Sequence, residues 1–369
     1  MRQEHTVTGT QLGALVFVFV FSTTIAFLIG PLAEHASFDG VWCILLGAAV
    51  GTAIVGGALR FAVRQPGSYI GDYGGSIVGQ AVHRFILLFS AFFFLYLSAF
   101  ILREFTDFFV PLYLRETPAV AVSILVMSAA AALAHSGVSA VFRFCQGVFI
   151  FIGGLFLIKP LLFATPLDSP MWHGFTRIHD AGALWEQTYA LIPWYGELVM
   201  LAYIMPQFST ARHARRAVWI GAIAGTYILL SEFLLMMLFL GPKLSGAIMY
   251  PALELSGFLH LGDFVYNLDA LIVSIWFAGL FIKLSIVFAI GTLFVSQALS
   301  VGDSRLITFP VAAFVVALSV VLARNPVELA KYFEGSWATF ALFAEGLFFL
   351  YPLVSWARGL LGRRGGRSG

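Results

Sequence analysis

The chain has 369 residues and a net charge of +2, and 60% of its residues are apolar while only 11% are charged. Soluble domains carry about 25% charged residues, so this composition excludes a soluble fold of this length. The apolar runs last about 20 residues, which fits membrane-spanning helices and not the ~10-residue alternating strands of a barrel. No basic patch interleaved with aromatic residues is present, so nucleic acid is not an expected partner.

The apolar runs predict an all-α integral membrane protein with about ten spans. In chain order these lie near residues 11–30, 40–59, 85–110, 118–136, 144–163, 187–206, 216–240, 264–297, 305–323 and 337–357. No segment between them has the composition of a separate domain. We therefore predict one permease-like transmembrane domain over residues 1–361, followed by a basic tail at 362–369.

The distribution of basic residues predicts the orientation in the bilayer. With the N-terminus inside, 13 of the 21 Lys and Arg residues fall in cytoplasmic segments and 7 in outer segments, as the positive-inside rule requires. An even number of spans then places both termini in the cytoplasm. The remaining basic residue, Lys283, lies near the centre of span 8.

Span 1 departs from a plain apolar helix at two places. Ser22, Thr23 and Thr24 stand at its middle, and Gly30-Pro31 at its outer end. Hydroxyls within a helix often bond back to its own carbonyls, which is the structural interpretation of this run. The functional interpretation is that the three residues bind a substrate at an interrupted helix.

Span 6 contains the segment Pro193-Trp194-Tyr195-Gly196-Glu197. Proline lacks a backbone donor and clashes one turn back, so a helix bends or opens there. An acidic residue beside opened backbone at membrane depth is typical of a ligand or ion site. The sequence therefore predicts a substrate site that includes Pro193, Tyr195, Gly196 and Glu197.

The two interrupted spans are the first and the sixth of about ten. This arrangement predicts a five-plus-five inverted repeat with discontinuous helices 1 and 6, as in transporters whose half-helix termini hold the substrate. In that design, free N–H groups at a half-helix attract an anionic group such as the carboxylate of an amino acid.

Three further ionisable residues in the spans are candidates for ion coupling or for buried ion pairs. A Lys at the bilayer centre costs roughly 2.5–3.5 kcal/mol, so Lys283 should face the interior. It could serve as a coupling cation or pair with Glu197, Glu232 or Glu345. We expect Glu232 and Glu345 to be structural or to face a cavity, rather than to bind the substrate directly.

Span 3 carries charged residues near its outer end. Arg103, Glu104 and Asp107 lie one turn apart, which predicts a local salt-bridge cluster. Tyr96, deeper in the same span, is a candidate substrate ligand through its hydroxyl, although Tyr is also ordinary packing material.

The sequence has none of the common catalytic or metal-binding motifs. The His residues are scattered, and the two Cys residues, Cys43 and Cys145, have no neighbouring metal ligands. We therefore predict no enzymatic activity, no cofactor and no metal.

Several ordered motifs resemble those of endospore germination permeases, the B-type subunits of nutrient germinant receptors in the amino acid–polyamine–organocation superfamily. They are LREFTDFF (102–109), RETP (115–118), PWYGELVMLAYIMP (193–206) and YPALELSGFLHLGDFVYNLDALIVSIWFAGLFIKLS (250–285). In the last, Gly262-Asp263-Phe264, Asp269-Ala270, Trp276 and Ile282-Lys283 follow the family's order.

This resemblance implies a spore inner-membrane or cell-membrane protein that binds a small germinant, most often an amino acid. It also implies an A-type membrane subunit and a C-type lipoprotein as partners. Gly196, Glu197 and Lys283 match family positions, whereas residues 21–25 lack the glycine expected at the break in span 1.

Three functions therefore stay open at this stage. The first is a receptor subunit that senses a germinant and signals to its partners. The second is a proton-coupled amino-acid transporter, since Glu197 and Lys283 are titratable groups near the midplane. The third is a passive pore or scaffold, because a fold does not by itself decide function.

Overall fold

A computed structural model describes residues 6–162, 170–209, 211–251, 254–255, 268–323, 328–329, 331 and 336–365. In this part of the chain the backbone is almost entirely helical, with an isolated parallel bridge between Val7 and Phe208. The motif Gly262-Asp263-Phe264 and the end of the basic tail lie outside the described residues.

Fifteen α-helices are named here within the described residues. They are α1 Gly9–Phe27, α2 Ile29–Ala36, α3 Gly40–Ala62, α4 Ile70–Val78, α5 Gln80–Tyr113, α6 Ala119–His135, α7 Val138–Leu162, α8 Ala181–Gly196, α9 Met200–Tyr203, α10 Ala211–Phe239, α11 Gly241–Ala247, α12 Leu268–Ala298, α13 Thr308–Leu322, α14 Trp337–Gly346 and α15 Leu350–Gly365. Short 3₁₀ segments connect several of them, including Glu197–Val199 between α8 and α9 and Leu347–Phe349 between α14 and α15.

Each predicted span coincides with one or more of these helices. Within the described ranges, seven helical stretches are long and apolar enough to cross a membrane, and Gly9–Ile25 and Ala119–His135 are shorter apolar helices. These helices confirm a multi-pass α-helical membrane protein. The number of crossings, the inverted repeat and the orientation of the termini stay predictions.

Span 1 is interrupted at Leu28, where α1 ends and α2 begins, and not at its Ser-Thr-Thr run. The Ser22 hydroxyl donates to the carbonyl of Phe19 at 3.3 Å, and the Thr24 hydroxyl donates to that of Val20 at 2.6 Å. Hydroxyls that bond back in this way leave the helical backbone intact. The helix therefore runs unbroken through the Ser-Thr-Thr run, and its break lies beside Gly30-Pro31, the other departure in this span.

Glycines let two helix pairs approach closely. A Cβ on Gly221 of α10 would lie 2.5 Å from the carbonyl oxygen of Gly13 on α1, and a Cβ on Gly51 of α3 would lie 2.6 Å from that of Ile192 on α8. Small residues at such crossings are typical of membrane helices, where association depends on close packing. The first helix of the chain and α8 are thus each held tightly against a neighbour.

Hydrogen bonds from Asp39 connect the turn between α2 and α3 to the segment that precedes α8. Asp39 is buried, and its Oδ2 accepts the backbone N–H groups of His179 and Asp180, both at 2.8 Å. Its Oδ1 lies 3.1 Å from His179 Nδ1. This carboxylate therefore fixes the start of α8, which carries part of the site described below.

We expect Asp39→Ala to lower the free energy of unfolding by about 1.5–3 kcal/mol, because two backbone N–H groups lose a buried, charged acceptor. Asp39→Asn, which keeps one acceptor oxygen, should have an intermediate effect. Denaturant unfolding of the protein in detergent tests this, with the exposed Glu116→Ala as the control. If Asp39→Ala were as stable as the control, the hydrogen bonds of Asp39 would contribute nothing to the free energy of unfolding.

Candidate functional site

Three segments that are distant in sequence meet at the ammonium group of Lys283 on α12. Its Nζ lies 2.9 Å from Oε2 of Glu197, which follows α8, and donates to Oγ1 of Thr23 on α1 at 2.8 Å. Lys283 and Glu197 are each only 1% exposed. Of the ion pairs considered for Lys283, the structure shows the one with Glu197, and a coupling role stays a prediction.

Helical spacing explains how α12 meets α1. Trp276 and Lys283 are seven residues apart and lie on one face of α12. The Trp276 indole donates to the carbonyl of Ser22, and Lys283 donates to the neighbouring Thr23. Two consecutive residues of α1 are therefore bound by one stripe of α12, which fixes the register between the two helices.

Aromatic rings complete the surroundings of the ammonium group. Lys283 Nζ lies 4.3 Å from the ring centroid of Phe19 and 5.5 Å from that of Trp194, within the range of cation–π attraction. Phe19 precedes Thr23 by four residues, and Trp194 precedes Glu197 by three. Each ring thus lies on the same helical face as the polar partner that follows it.

The predicted interruption of span 6 takes the form of a change of helix type beside Glu197, and Gly196, Glu197 and Met200 all keep right-handed helical dihedral angles. The α-helix passes through Pro193 and ends at Gly196, and the 3₁₀ segment Glu197–Val199 follows. The N–H of Met200 bonds to the carbonyl of Glu197 in the tighter 3₁₀ pattern. The change of helix type therefore comes one turn after Pro193, and Glu197 is the first residue of the 3₁₀ segment.

Gly196 makes room for a second carboxylate. A Cβ at this position would overlap Oε2 of Glu345 and lie 2.7 Å from its Cδ. Glu345 belongs to α14, is 4% exposed, and interacts electrostatically with Glu197 and Lys283. Neither carboxylate oxygen of Glu345 has a hydrogen-bond partner among the described residues.

The prediction of a local salt-bridge cluster on span 3 is wrong for one of its members. Arg103 Nε pairs with Asp107 Oδ1 at 2.8 Å, as expected for residues four apart. Glu104 instead points inward, is 1% exposed, and interacts electrostatically with Lys283 and Glu197. One helical step is about 100°, so the residue after Arg103 lies on a different face. That spacing could have identified Glu104 from the sequence.

The other candidates are not gathered at the ion pair by the contacts described. The Tyr195 hydroxyl lies 2.8 Å from Oγ1 of Thr226 on α10. Tyr96 stacks on Trp337 and also contacts the ring of Phe340, in an aromatic cluster between α5 and α14. Glu232 is fully buried on α10.

A cavity of about 450 Å³ has one residue, Trp194, in common with the surroundings of the ion pair. Its walls come from the junction of α1 and α2, from α8 and from the start of α14: Phe27, Leu28, Pro31, His35, Ala183, Glu186, Gln187, Tyr189, Ala190, Trp194 and Ala338. Its volume falls in the range of small-molecule sites. Trp194 lines this cavity, and its ring centroid also lies 5.5 Å from Lys283 Nζ.

Comparison with known proteins assigns the chain to a family. The family model described as spore germination protein matches residues 6–327, nearly the whole chain. The chain belongs to this family. YfkT of Bacillus subtilis (strain 168), whose own assignment to spore germination is provisional, is 24% identical over 208 residues, which is 55% of this chain and 55% of that relative.

Solved transporters share the fold of this spore germination family member. A closed, bromovinylhydantoin-bound form of Mhp1, a nucleobase-cation-symport-1 family transporter, has a TM-score of 0.71 at 11% identity, covering 94% of this chain and 82% of that one. A Na⁺-coupled sialic acid symporter in a substrate-bound outward-open state has a TM-score of 0.65 at 14% identity, covering 95% and 80%. These matches confirm the transporter-like helical fold and carry no information about the ligand.

Proposed function

We propose that this protein is the membrane subunit of a nutrient-germinant receptor and binds a small germinant, with amino acids as the favoured class. The observation that carries the proposal is the buried Glu197–Lys283 ion pair at the interruption of α8. An amino acid carries the same two charges. Its carboxylate can replace Glu197 at the ammonium of Lys283, while its own ammonium binds the carboxylate of Glu197.

The surroundings of the pair support this exchange. Thr23 supplies a hydroxyl, and Phe19 and Trp194 supply apolar rings for a side chain. The adjacent cavity, on the face that the charge pattern predicts to be outside, provides a route to the pair once Trp194 moves. Buried opposite charges that can be paired with a ligand avoid the cost of leaving either one alone.

A receptor needs at least two conformations with different affinities for the ligand. The segments that surround Lys283 are also those with interrupted helices, at Leu28 and at Glu197–Val199. We propose that binding shifts these segments against the rest of the bundle and that an A-type membrane subunit and a C-type lipoprotein receive the change.

The test is binding of single amino acids to the purified protein in nanodiscs, by thermal shift and by equilibrium binding of a radiolabelled ligand. We expect at least one amino acid to stabilise the wild type. Glu197→Gln should weaken its binding by about 30-fold or more, since losing one partner of a buried charge pair costs 2 kcal/mol or more. The exposed Glu116→Gln should bind normally. A folded wild type that binds no amino acid would contradict the proposal.

The fold shared with two symporters makes transport a second candidate, and the buried Glu197–Lys283 pair offers titratable groups for coupling amino-acid uptake to protons. Uptake of a labelled amino acid into vesicles that contain only this protein, driven by a pH gradient, would establish transport and contradict a purely sensory role. A passive pore or scaffold makes a different prediction. In that case, Glu197→Gln would leave germination intact while deletion of the protein abolished it.

A further inference from the structure

Four ionisable side chains form one buried cluster around the interruption of α8. They are Lys283 on α12, Glu197 after α8, Glu104 on α5 and Glu345 on α14, and none is more than 4% exposed. Glu104 and Glu345 each interact electrostatically with Glu197 and Lys283. Three carboxylates face one ammonium, so the fully ionised cluster would carry an excess of two negative charges.

The single cation of the cluster is already engaged. Lys283 pairs with Glu197 and donates to Thr23. By contrast, the carboxylate oxygens of Glu104 and Glu345 have no hydrogen-bond partner in the part of the chain that the structure describes. A buried carboxylate without donors or a counter-ion costs several kcal/mol, and such a group takes up a proton instead.

Among the residues that the structure describes, the helices packed around these two glutamates offer no other cation to balance them. On α5 the guanidinium of Arg103 is paired with Asp107, which itself adds negative charge near Glu104. The charged groups that act on Glu345 are Glu197 and Lys283. Among the described residues, no three His, Cys, Asp or Glu side chains are placed to hold a metal ion.

We propose that Glu104 and Glu345 are two proton-binding sites, each occupied at neutral pH. The cluster then consists of one ion pair and two neutral carboxylic acids. A cationic group that enters the cluster displaces these protons, because an ionised carboxylate is stabilised by a nearby positive charge. Occupancy of the two proton sites does not depend on the identity of any germinant, so this inference stands apart from the proposed function.

Infrared spectroscopy of the wild-type protein tests the proposal directly. In a detergent without ester groups, the C=O stretch of protonated carboxylic acids should be present near neutral pH and shift in D₂O. Glu104→Gln and Glu345→Gln should each remove a comparable part of that band, and the double variant should remove both parts. Glu116→Gln, at an exposed site, should leave the band unchanged.

The variants also test the protonation state through stability. Gln has nearly the shape of protonated Glu and no charge, so both variants should fold and unfold within a few degrees of the wild type. Absence of the band from the wild type, or a band that neither variant reduces, would overturn the proposal. Reduction by only one variant would overturn the assignment of a proton to the other glutamate.

Discussion

Lys283→Met is expected to lower the free energy of unfolding by about 3–5 kcal/mol, because it leaves the buried carboxylate of Glu197 without a counter-ion. Lys283 is also enclosed by Thr23 and two aromatic rings, so the unbranched Met preserves much of the packing. The effect should therefore come mainly from the lost charge. Denaturant unfolding of the protein in detergent, monitored by tryptophan fluorescence, measures it.

The double variant Glu197→Gln/Lys283→Met should recover most of this loss, since replacing both members of a buried ion pair is often neutral. The loss in Lys283→Met should also shrink at acidic pH. At acidic pH the unpaired Glu197 is already protonated in the unfolded protein, so burying it neutral costs little. At alkaline pH folding must either bury the ionised carboxylate or protonate it, and both lower the free energy of unfolding further.

The exposed Lys243 gives a matched control for this experiment. Lys243→Met should change the free energy of unfolding by no more than about 0.5 kcal/mol. If the double variant were as unstable as Lys283→Met, the effect would come from packing, and the ion pair would contribute nothing to stability.

The membrane class and the position of the spans could be predicted from the sequence because they depend on local properties. A run of about 20 apolar residues has few stable alternatives to a spanning helix. Glu197 was identifiable for the same reason, since Pro193 and Gly196 weaken the helix within one turn of it. The transporter-like fold could be predicted as well, because the motifs that include Gly196 and Lys283 resemble those of a family with that fold.

The partners of the site could not be predicted, because they depend on which faces of distant helices meet. From the sequence, Glu197, Glu232 and Glu345 are alternative partners for Lys283, and the packing of α12 against α1 and α8 brings Glu197 to it. Two of the three hydroxyls in the Ser22–Thr24 run bond to their own helix, as the structural interpretation predicts, and a substrate role for the run stays a prediction.

Gly196→Ala is expected to destabilise the protein by about 1–3 kcal/mol, the usual cost of overpacking a buried site. The new Cβ would overlap Oε2 of Glu345, so the carboxyl group or the start of the 3₁₀ segment must move. A loss of stability would be informative, because replacing Gly by Ala in a helix ordinarily raises stability by roughly 0.5–1 kcal/mol. Gly154, in α7 with open space at its Cβ position, is the matched control. Gly154→Ala should be neutral or stabilising.

A double-mutant cycle assigns this effect to the contact with Glu345. In a Glu345→Ala background the space beside residue 196 is empty, so Gly196→Ala should become neutral or stabilising there. Unfolding of the four proteins in the same detergent gives the coupling between the two positions. Equal costs of Gly196→Ala in both backgrounds would mean that the carboxyl group does not occupy the space left by the glycine. Coupling would show that the helix break and Glu345 form one packed unit. Because Glu345 also interacts electrostatically with the Glu197–Lys283 pair, such coupling would connect the backbone conformation at Gly196 with the charges of the site.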